Sequence, residues 1–252
     1  MTAKELRANA RNHLKGRWGM SILVGIVAGL LGADSTYQVY YSSVSTASNT
    51  VEQTVQQVQS MDPSAVYSTA QNLPVTFDIS TIQVSPLVSV LGIVAFLFGG
   101  AAALGWCLYN QNLNHDRPAE IKDLFVYFNM FGKAFLTNLL VGLFLILWTL
   151  LLIVPGIIMS FAYSQTFYIM QENPDMRPME AIRASKELMN GYKWKLFCLD
   201  LSFIGWAILA ILTFGIGFVF LTPYVEQAHC AFYNTIKAEK AAILMEPAAA
   251  AE

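Results

Sequence analysis

The segment AFLTNLLVGLFLILWTLLLIVPGIIMSFAYSQTFYIMQ, residues 134–171, contains no Asp, Glu, Lys or Arg. A membrane hydrocarbon core about 30 Å thick is crossed by roughly 20 helical residues, so this segment is long enough for two crossings. Near its centre lies Pro155-Gly156, a pair that favours a turn between two apolar runs. The segment therefore predicts a helical hairpin within a membrane.

The composition of the whole chain agrees with this prediction. Of the 252 residues, 55% are hydrophobic and 13% are charged, whereas soluble domains carry about 25% charged residues. A second stretch, 86–113, also lacks charged side chains. The net charge of -2 gives no broad basic field of the kind that binds nucleic acid. We therefore expect a membrane protein without a nucleic-acid partner.

The basic residues predict the topology. All 15 Lys and Arg residues fall in 1–17, 114–133, 173–195 and the chain after 236, and none lies in 34–86 or at the turns 154–156 and 213–217. Because basic residues are retained on the cytoplasmic side, both termini are predicted to be cytoplasmic. The predicted transmembrane helices lie at about 18–33, 87–112, 134–153, 156–172, 196–213 and 217–235.

The remaining segments are predicted to be amphipathic or loosely ordered. Residues 2–17 place Leu6, Ala10 and Leu14 on one helical face, which is typical of a membrane-surface helix. Further surface helices are expected within 114–133 and 173–195, the latter starting after Pro178. We expect 34–86 to be an extracytoplasmic insertion with a short helix near its middle, and 237–252 to be a flexible tail. Gly99-Gly100 is predicted to be a kink or a close-packing point.

The chain also contains an internal repeat. The segments LFLILWTLLLIVPGIIMSFAYSQT and LSFIGWAILAILTFGIGFVFLTPYVEQ align Trp148 with Trp206 and Tyr163 with Tyr224. A looser first copy includes Tyr109 and Gln111. The predicted fold is an all-α polytopic membrane protein with six transmembrane helices. These form three helical hairpins, each preceded by an amphipathic cytoplasmic surface helix, in a pseudo-threefold repeat.

Four stretches carry a family resemblance: ELRANARNHLKGRWG, LLLIVPGI, NPDMRPMEAIRASKELMNGYKWKLF and, within 202–224, SFIGWAIL followed by TFGIGF and PY. With them, the chain resembles the bacterial membrane proteins grouped as the domain of unknown function 975 family. The resemblance implies a six-helix protein of the bacterial cytoplasmic (inner) membrane and no particular activity. A more distant likeness is to the membrane domains of some glycerophosphodiester phosphodiesterases, whose catalytic domain has no counterpart here.

Two acidic residues lie inside predicted transmembrane helices, where ionisable groups are costly and often functional. Asp200 is in the fifth helix, and Glu226 is in the sixth, followed by Gln227 and His229. One interpretation is a proton-coupled site. The other is structural, in which these carboxylates pair with Lys193, Lys195 or each other.

A second candidate site is a polar layer formed by the repeat. Tyr-x-Gln or Tyr-x-Glu recurs at equivalent positions of the three hairpins, which could bring these side chains together near the pseudo-threefold axis. The layer could bind a ligand or ion, or it could form only hydrogen bonds between helices. Its members are Tyr109, Gln111, Tyr163, Gln165, Tyr224 and Glu226.

A third set of residues is basic and aromatic and is predicted either to contact anionic lipid headgroups or only to anchor the topology. It comprises Arg7, Arg11, Lys15, Arg183, Lys186, Lys193, Trp194 and Lys195. No metal-binding, phosphate-binding or catalytic motif is recognised.

The predicted function is non-enzymatic, requires no cofactor, and consists of organising or binding lipids or assisting a membrane partner or a second copy of the chain. The alternative is a small proton-coupled transporter or channel that uses Asp200 and Glu226.

Overall fold

A computed structural model describes residues 2–33, 86–213 and 216–249, and within them all side chains except those of 86–94, 153 and 244–249. The chain forms two compact units, residues 1–33 with 94–252 and residues 34–93. Of the second unit, only 86–93 is described, as the first turns of a helix. The short helix predicted within 34–86 lies outside the described residues. All side-chain contacts below are within the first unit.

The N-terminal helix α1, Ala3–Leu14, begins with a capping box in which Thr2 and Glu5 bond each other's backbone N–H groups. Leu6, Ala10 and Leu14 are buried, so the predicted apolar face is confirmed. This face packs mainly against the last helix of the chain. The helix is therefore integrated into the protein and exposes only its polar side.

The next helix, α2, spans Trp18–Leu30 and has 13 residues. It ends before Gly32, whose φ of +77° suits glycine. The predicted transmembrane segment 18–33 is therefore helical over a shorter range than expected. At 1.5 Å per residue, α2 is about 20 Å long.

The long helix α3, Pro86–Asn114, includes the predicted segment 87–112. It continues through Gly99-Gly100, so this pair is a close-packing point and not a break in the helix. A Cβ atom on Gly99 would lie 2.6 Å from the carbonyl oxygen of Gly32, and one on Gly100 would overlap the backbone of Ala134. These glycines allow the backbones of neighbouring segments to approach α3 closely.

The predicted surface helix within 114–133 is a 3₁₀ helix, Ile121–Met130. It leads directly into α4, Phe131–Leu151. Asp123 fixes its start, because its carboxylate accepts hydrogen bonds from the Asn112 side chain at 3.0 Å and the Glu120 N–H at 3.1 Å.

The turn of the second hairpin lies earlier than predicted. Leu152 is extended, with φ −162° and ψ 141°, and α5 already begins at Ile153 and ends at Tyr163. Pro155 lies in the first turn of α5, where its missing N–H is not needed for helix hydrogen bonding. Helix α6 follows at Thr166–Glu172. The predicted helix 156–172 is thus interrupted at 164–165.

The predicted third surface helix, α7, spans Pro178–Leu188 and begins at Pro178 as expected. Gly191, with φ +85°, then leads into α8, Lys193–Leu201. Helix α9 spans Ile204–Leu212. The predicted helix 196–213 is therefore present as two pieces separated at 202–203.

The last helix, α10, runs from Ile216 to Ala249. The segment 237–249, which was expected to be part of a flexible tail, is helical in the described structure. The alanine-rich composition that suggested fraying also has a high intrinsic helix propensity.

Two segments of the described chain are long and apolar enough to cross a membrane: Ile121–Leu151 and Lys193–Leu212. The first joins the 3₁₀ helix to α4, and the second joins α8 to α9. In their most apolar stretches, 11% and 22% of the residues are buried within the protein. The described fold is thus helical, with two candidate membrane segments that expose most of their residues.

Candidate functional site

The centre of the candidate site is a pair formed by Asp200 and His229. Asp200 lies one residue before the end of α8, and His229 lies on α10. The Nε2 atom of His229 is 2.6 Å from Oδ1 of Asp200, and the two side chains are 22% and 38% exposed. The hydrogen bond joins the interrupted segment 193–212 to the helix that follows it.

Glu226 belongs to the same group of ionisable residues. It lies one helical turn before His229, on the same side of α10. Its carboxyl group lies beside the Trp106 side chain and within electrostatic range of His229 and Asp200. Three titratable groups from two helices thus meet near an indole from α3.

Gln227 was predicted to belong to this group but faces elsewhere. It is fully buried, and its Nε2 atom donates to Oδ1 of Asn114 at 3.4 Å. Successive residues on a helix point about 100° apart. Gln227 therefore links α10 to the end of α3, while Glu226 and His229 face Asp200.

Lys195, which the sequence offered as one of several partners for Asp200 or Glu226, contacts a different carboxylate. Its Nζ atom lies 3.3 Å from Oε2 of Glu239. Burial acts to raise the pKa of Glu239, but hydrogen bonds from Lys195 and Tyr192, with the charge of Lys195, together outweigh it and hold the pKa below its usual value. Lys195 thus ties the start of α8 to the C-terminal part of α10.

Arg7, one of the residues predicted either to contact lipid headgroups or to anchor the topology, forms a hydrogen bond within the protein. Its Nη1 atom donates to the carbonyl oxygen of Ser202 at 3.2 Å, two residues from Asp200. This carbonyl lies at the interruption between α8 and α9, where regular helix hydrogen bonding ends. Because α1 packs against α8 and α10, Arg7 stabilises the interruption beside the ionisable group.

The tyrosines of the predicted polar layer each have their own surroundings. Tyr109 Oη lies 2.9 Å from Ser21 Oγ. Tyr163 is next to Phe144, with ring centroids 6.3 Å apart. Tyr224 contacts Trp206 and other aromatic rings. Among the described contacts, none joins one of these three tyrosines to another, so the layer stays a prediction from the repeat.

The glutamines of the layer connect helices. Gln111 Oε1 accepts a hydrogen bond from Asn234 at 3.1 Å. The backbone N–H of Gln165 donates to Ser185 Oγ at 3.2 Å, which satisfies a donor at the interruption between α5 and α6. The Gln111 contact favours the structural role that the sequence left open for this side chain.

A further cluster was missed by the sequence reading. Glu172 Oε2 lies 2.6 Å from Tyr233 Oη and 2.6 Å from Lys237 Nζ. It joins the end of α6 to α10. Because Glu172 lies more than 60 residues from Tyr233 and Lys237 in sequence, no local pattern could have identified the cluster.

The other predicted headgroup residues lie mainly on the surface. Exposed basic side chains occur on α1 and α7, and Trp194 is 71% exposed. No acidic side chain among the described residues forms an ion pair with Arg11, Lys15, Arg183, Lys186 or Lys193. In the same residues, no group of three or more His, Cys, Asp or Glu could hold a metal ion.

Comparison with known families places these features in context. The family model "Protein of unknown function (DUF975)" matches residues 1–159 and 150–240. The chain therefore belongs to this family, a class defined by its sequence and not by an assigned activity. No curated protein and no solved structure matches the chain.

Proposed function

We propose that this protein is a non-enzymatic integral membrane protein that crosses the bacterial inner membrane six times and binds anionic lipids with its basic cytoplasmic side. The observation that carries the proposal is the exposure of apolar residues on α4 and α9. Leu150 is 84% exposed and Leu212 is 72% exposed. Large apolar side chains in such numbers are stable on a protein surface when lipid surrounds them.

The six proposed crossings are formed by α2, α3, α4, the α5–α6 pair, the α8–α9 pair and α10. The loops predicted to be extracytoplasmic contain no Lys or Arg. Leu152 and Thr213 form tight connections after α4 and α9. These connections suit hairpins that return to the side where the basic residues lie.

The proposed repeat is supported by a packing feature that two hairpins share. A Cβ atom on Gly156 would lie 3.0 Å from the Cα atom of Thr149, and one on Gly217 would lie 2.6 Å from that of Ala210. In each case the glycine lies seven positions after the residue that it contacts, on the other side of the turn. The same close helix approach in both hairpins is expected for duplicated units.

The lipid-binding side is supported by the orientation of α1 and α7. Both helices bury an apolar face, including Ala10 and Ile182, so Arg11, Arg183 and Lys186 remain exposed on the outer side. Basic groups near an anionic membrane surface contribute about 1 kcal/mol each to lipid attraction. Arg183 and Lys186 on α7 are suitable for testing this because both are exposed.

The test is lipid enrichment around the full-length protein. The protein is reconstituted in equal amounts of phosphatidylglycerol and phosphatidylcholine with identical acyl chains, and is then extracted with its surrounding lipid for quantification. We expect enrichment of phosphatidylglycerol, a decrease for the double variant Arg183→Gln/Lys186→Gln, and no decrease for the control Glu187→Gln. Lipid in the same ratio as the starting mixture would overturn the proposal.

A second candidate function, a proton-coupled transporter or channel, is favoured by one specific observation, the contact of Asp200 with His229 next to Glu226. Carboxylate and imidazole groups in series are typical of proton relays. The test is proton uptake into proteoliposomes that contain a pH-sensitive dye, driven by an imposed membrane potential. Uptake that Asp200→Asn abolishes and the surface control Asp175→Asn preserves would support transport. Uptake no faster than in protein-free vesicles would exclude it.

A further inference from the structure

A groove of about 340 Å³ lies between the N-terminal helices and the third hairpin. Its lining includes Trp18 near the start of α2, Leu209 on α9 and Phe220 on α10. Leu209 and Phe220 are each about half exposed, at 52% and 53%. The groove is therefore open to its surroundings along the apolar part of the molecule and is not a sealed core cavity.

The wall of the groove is held in place by Tyr224. Its ring lies 5.2 Å from Phe203 in an edge-to-face arrangement and also contacts Trp18 and Trp206, with centroid distances of 6.4 and 6.5 Å. Its hydroxyl donates to the carbonyl oxygen of Arg7 at 3.3 Å. Such contacts fix the shape of an apolar site before a ligand enters, which lowers the entropic cost of binding.

One described residue that lines the groove carries a charge, namely Arg11. Its side chain is exposed, and no acidic group among the described residues forms an ion pair with it. By contrast, the guanidinium group of Arg7, one helical turn earlier, already donates a hydrogen bond to the Ser202 carbonyl oxygen. The groove thus combines a long apolar surface with a cation that its own protein does not neutralise.

This combination matches an amphiphile that carries an anion on a hydrocarbon chain. We propose that the groove binds one anionic phospholipid, with an acyl chain against Leu209 and Phe220 and the phosphate at Arg11. A guanidinium group is well suited to phosphate because it can donate two parallel hydrogen bonds. The inference rests on the proposed function and deepens it by assigning one specific site within the general lipid preference.

The experiment counts lipids bound to the purified full-length protein by native mass spectrometry. The probes are phosphatidylglycerol and phosphatidylcholine with identical acyl chains. Leu209→Trp places an indole in the groove, whereas its control, Leu212→Trp, places one at an exposed position that does not line it. Arg11→Gln removes the cation, and Lys15→Gln removes an exposed cation that lies just after the same helix and outside the groove.

We expect wild type to retain one phosphatidylglycerol after the remaining lipid has been removed. Leu209→Trp should lose this lipid and Leu212→Trp should keep it. Arg11→Gln should reduce the preference for phosphatidylglycerol by about fivefold, and Lys15→Gln should leave it unchanged.

The outcomes separate the two proposals. If wild type shows no preference for phosphatidylglycerol, both the proposed function and the groove site are overturned. If the preference exists but Leu209→Trp and Leu212→Trp behave alike, the groove site is overturned and the general lipid preference stands. If Leu209→Trp instead releases a second protein chain from wild-type complexes, the groove is a protein interface and the lipid site is overturned.

Discussion

His229 Nε2 and Asp200 Oδ1 lie 2.6 Å apart and connect α10 to the end of α8. The hydrogen bond lies next to the interruption at 202–203, which a bond from Arg7 also stabilises. An interrupted helix leaves backbone groups without their usual partners. The pair therefore stabilises a part of the fold that local hydrogen bonding leaves weak.

The first prediction concerns the energy of this pair. A double-mutant cycle with Asp200→Asn and His229→Gln should give a coupling free energy of about 1 kcal/mol, since both side chains are partly exposed. The measurement is reversible unfolding in detergent micelles. The control is His13→Gln. The contact of His13 with Asp116 is 3.6 Å long and Asp116 is 77% exposed, so its loss should change the free energy of unfolding little. A coupling energy of zero for Asp200 and His229 would show that the bond contributes nothing to stability.

The second prediction concerns Gly105 on α3. A Cβ atom there would overlap the backbone of Leu124 in the 3₁₀ helix, and backbone cannot move aside as a flexible side chain can. Gly105→Ala should therefore lower the free energy of unfolding by about 1–3 kcal/mol. Gly142→Ala on α4 is the control, because a Cβ atom there meets nothing within 4 Å. The control should be neutral or slightly stabilising, and equal effects of the two variants would contradict the prediction.

The third prediction concerns Tyr233 and Glu172. Tyr233 is 1% exposed, and its hydroxyl lies 2.6 Å from the Glu172 carboxylate. Hydrogen bonds to charged groups contribute about 1.5–3 kcal/mol, so Tyr233→Phe should lower the thermal unfolding temperature. Tyr163→Phe is the matched control, since the Tyr163 hydroxyl has no hydrogen-bond partner among the described residues. If both variants unfold at the wild-type temperature, the Glu172 contact is unimportant for stability.

The fourth prediction tests the topology. In a variant with Cys107, Cys198 and Cys230 replaced by Ala, a single cysteine introduced at Val154 or Asn190 should be labelled from opposite sides of the membrane. Val154 is 67% exposed beside the predicted extracytoplasmic turn, and Asn190 is exposed in the predicted cytoplasmic segment. The measurement uses a membrane-impermeant maleimide on intact spheroplasts, which should label the cysteine at 154. Labelling of both positions from one side would rule out the six-helix arrangement.

Local patterns predicted a large part of this fold. Four-residue spacing identified the buried face of Leu6, Ala10 and Leu14, and Pro178 marked the start of α7. These features depend on neighbours within one or two turns, which a sequence shows directly. The same is true of the long uncharged runs that predicted α3 and α4.

The interruptions of the helices could not be predicted in this way. Neither Ser164-Gln165 nor Ser202-Phe203 contains the glycine or proline that usually marks a break. At the first break, Ser185 from α7 accepts a hydrogen bond from the Gln165 N–H, and at the second, Arg7 donates to the Ser202 carbonyl. Both partners come from distant parts of the chain, so only the packed structure reveals them.

The sequence predicted which residues belong to the candidate site but not which of them contact one another. Asp200, Glu226 and His229 were recognised because ionisable groups are rare in apolar helices. Which of them meet depends on the rotation of α8 and α10 about their axes, and the sequence does not specify this rotation. Lys195, one of the alternative partners considered for these carboxylates, pairs with Glu239.

The shortness of α2 has a consequence for the membrane around the protein. Its 13 residues span about 20 Å, roughly 10 Å less than an average hydrocarbon core. A crossing at α2 must therefore be completed by the chain that follows Leu31 or by lipids that compress locally. This hydrophobic mismatch would favour thinner bilayers or shorter acyl chains at the edge of the protein where Trp18 lies.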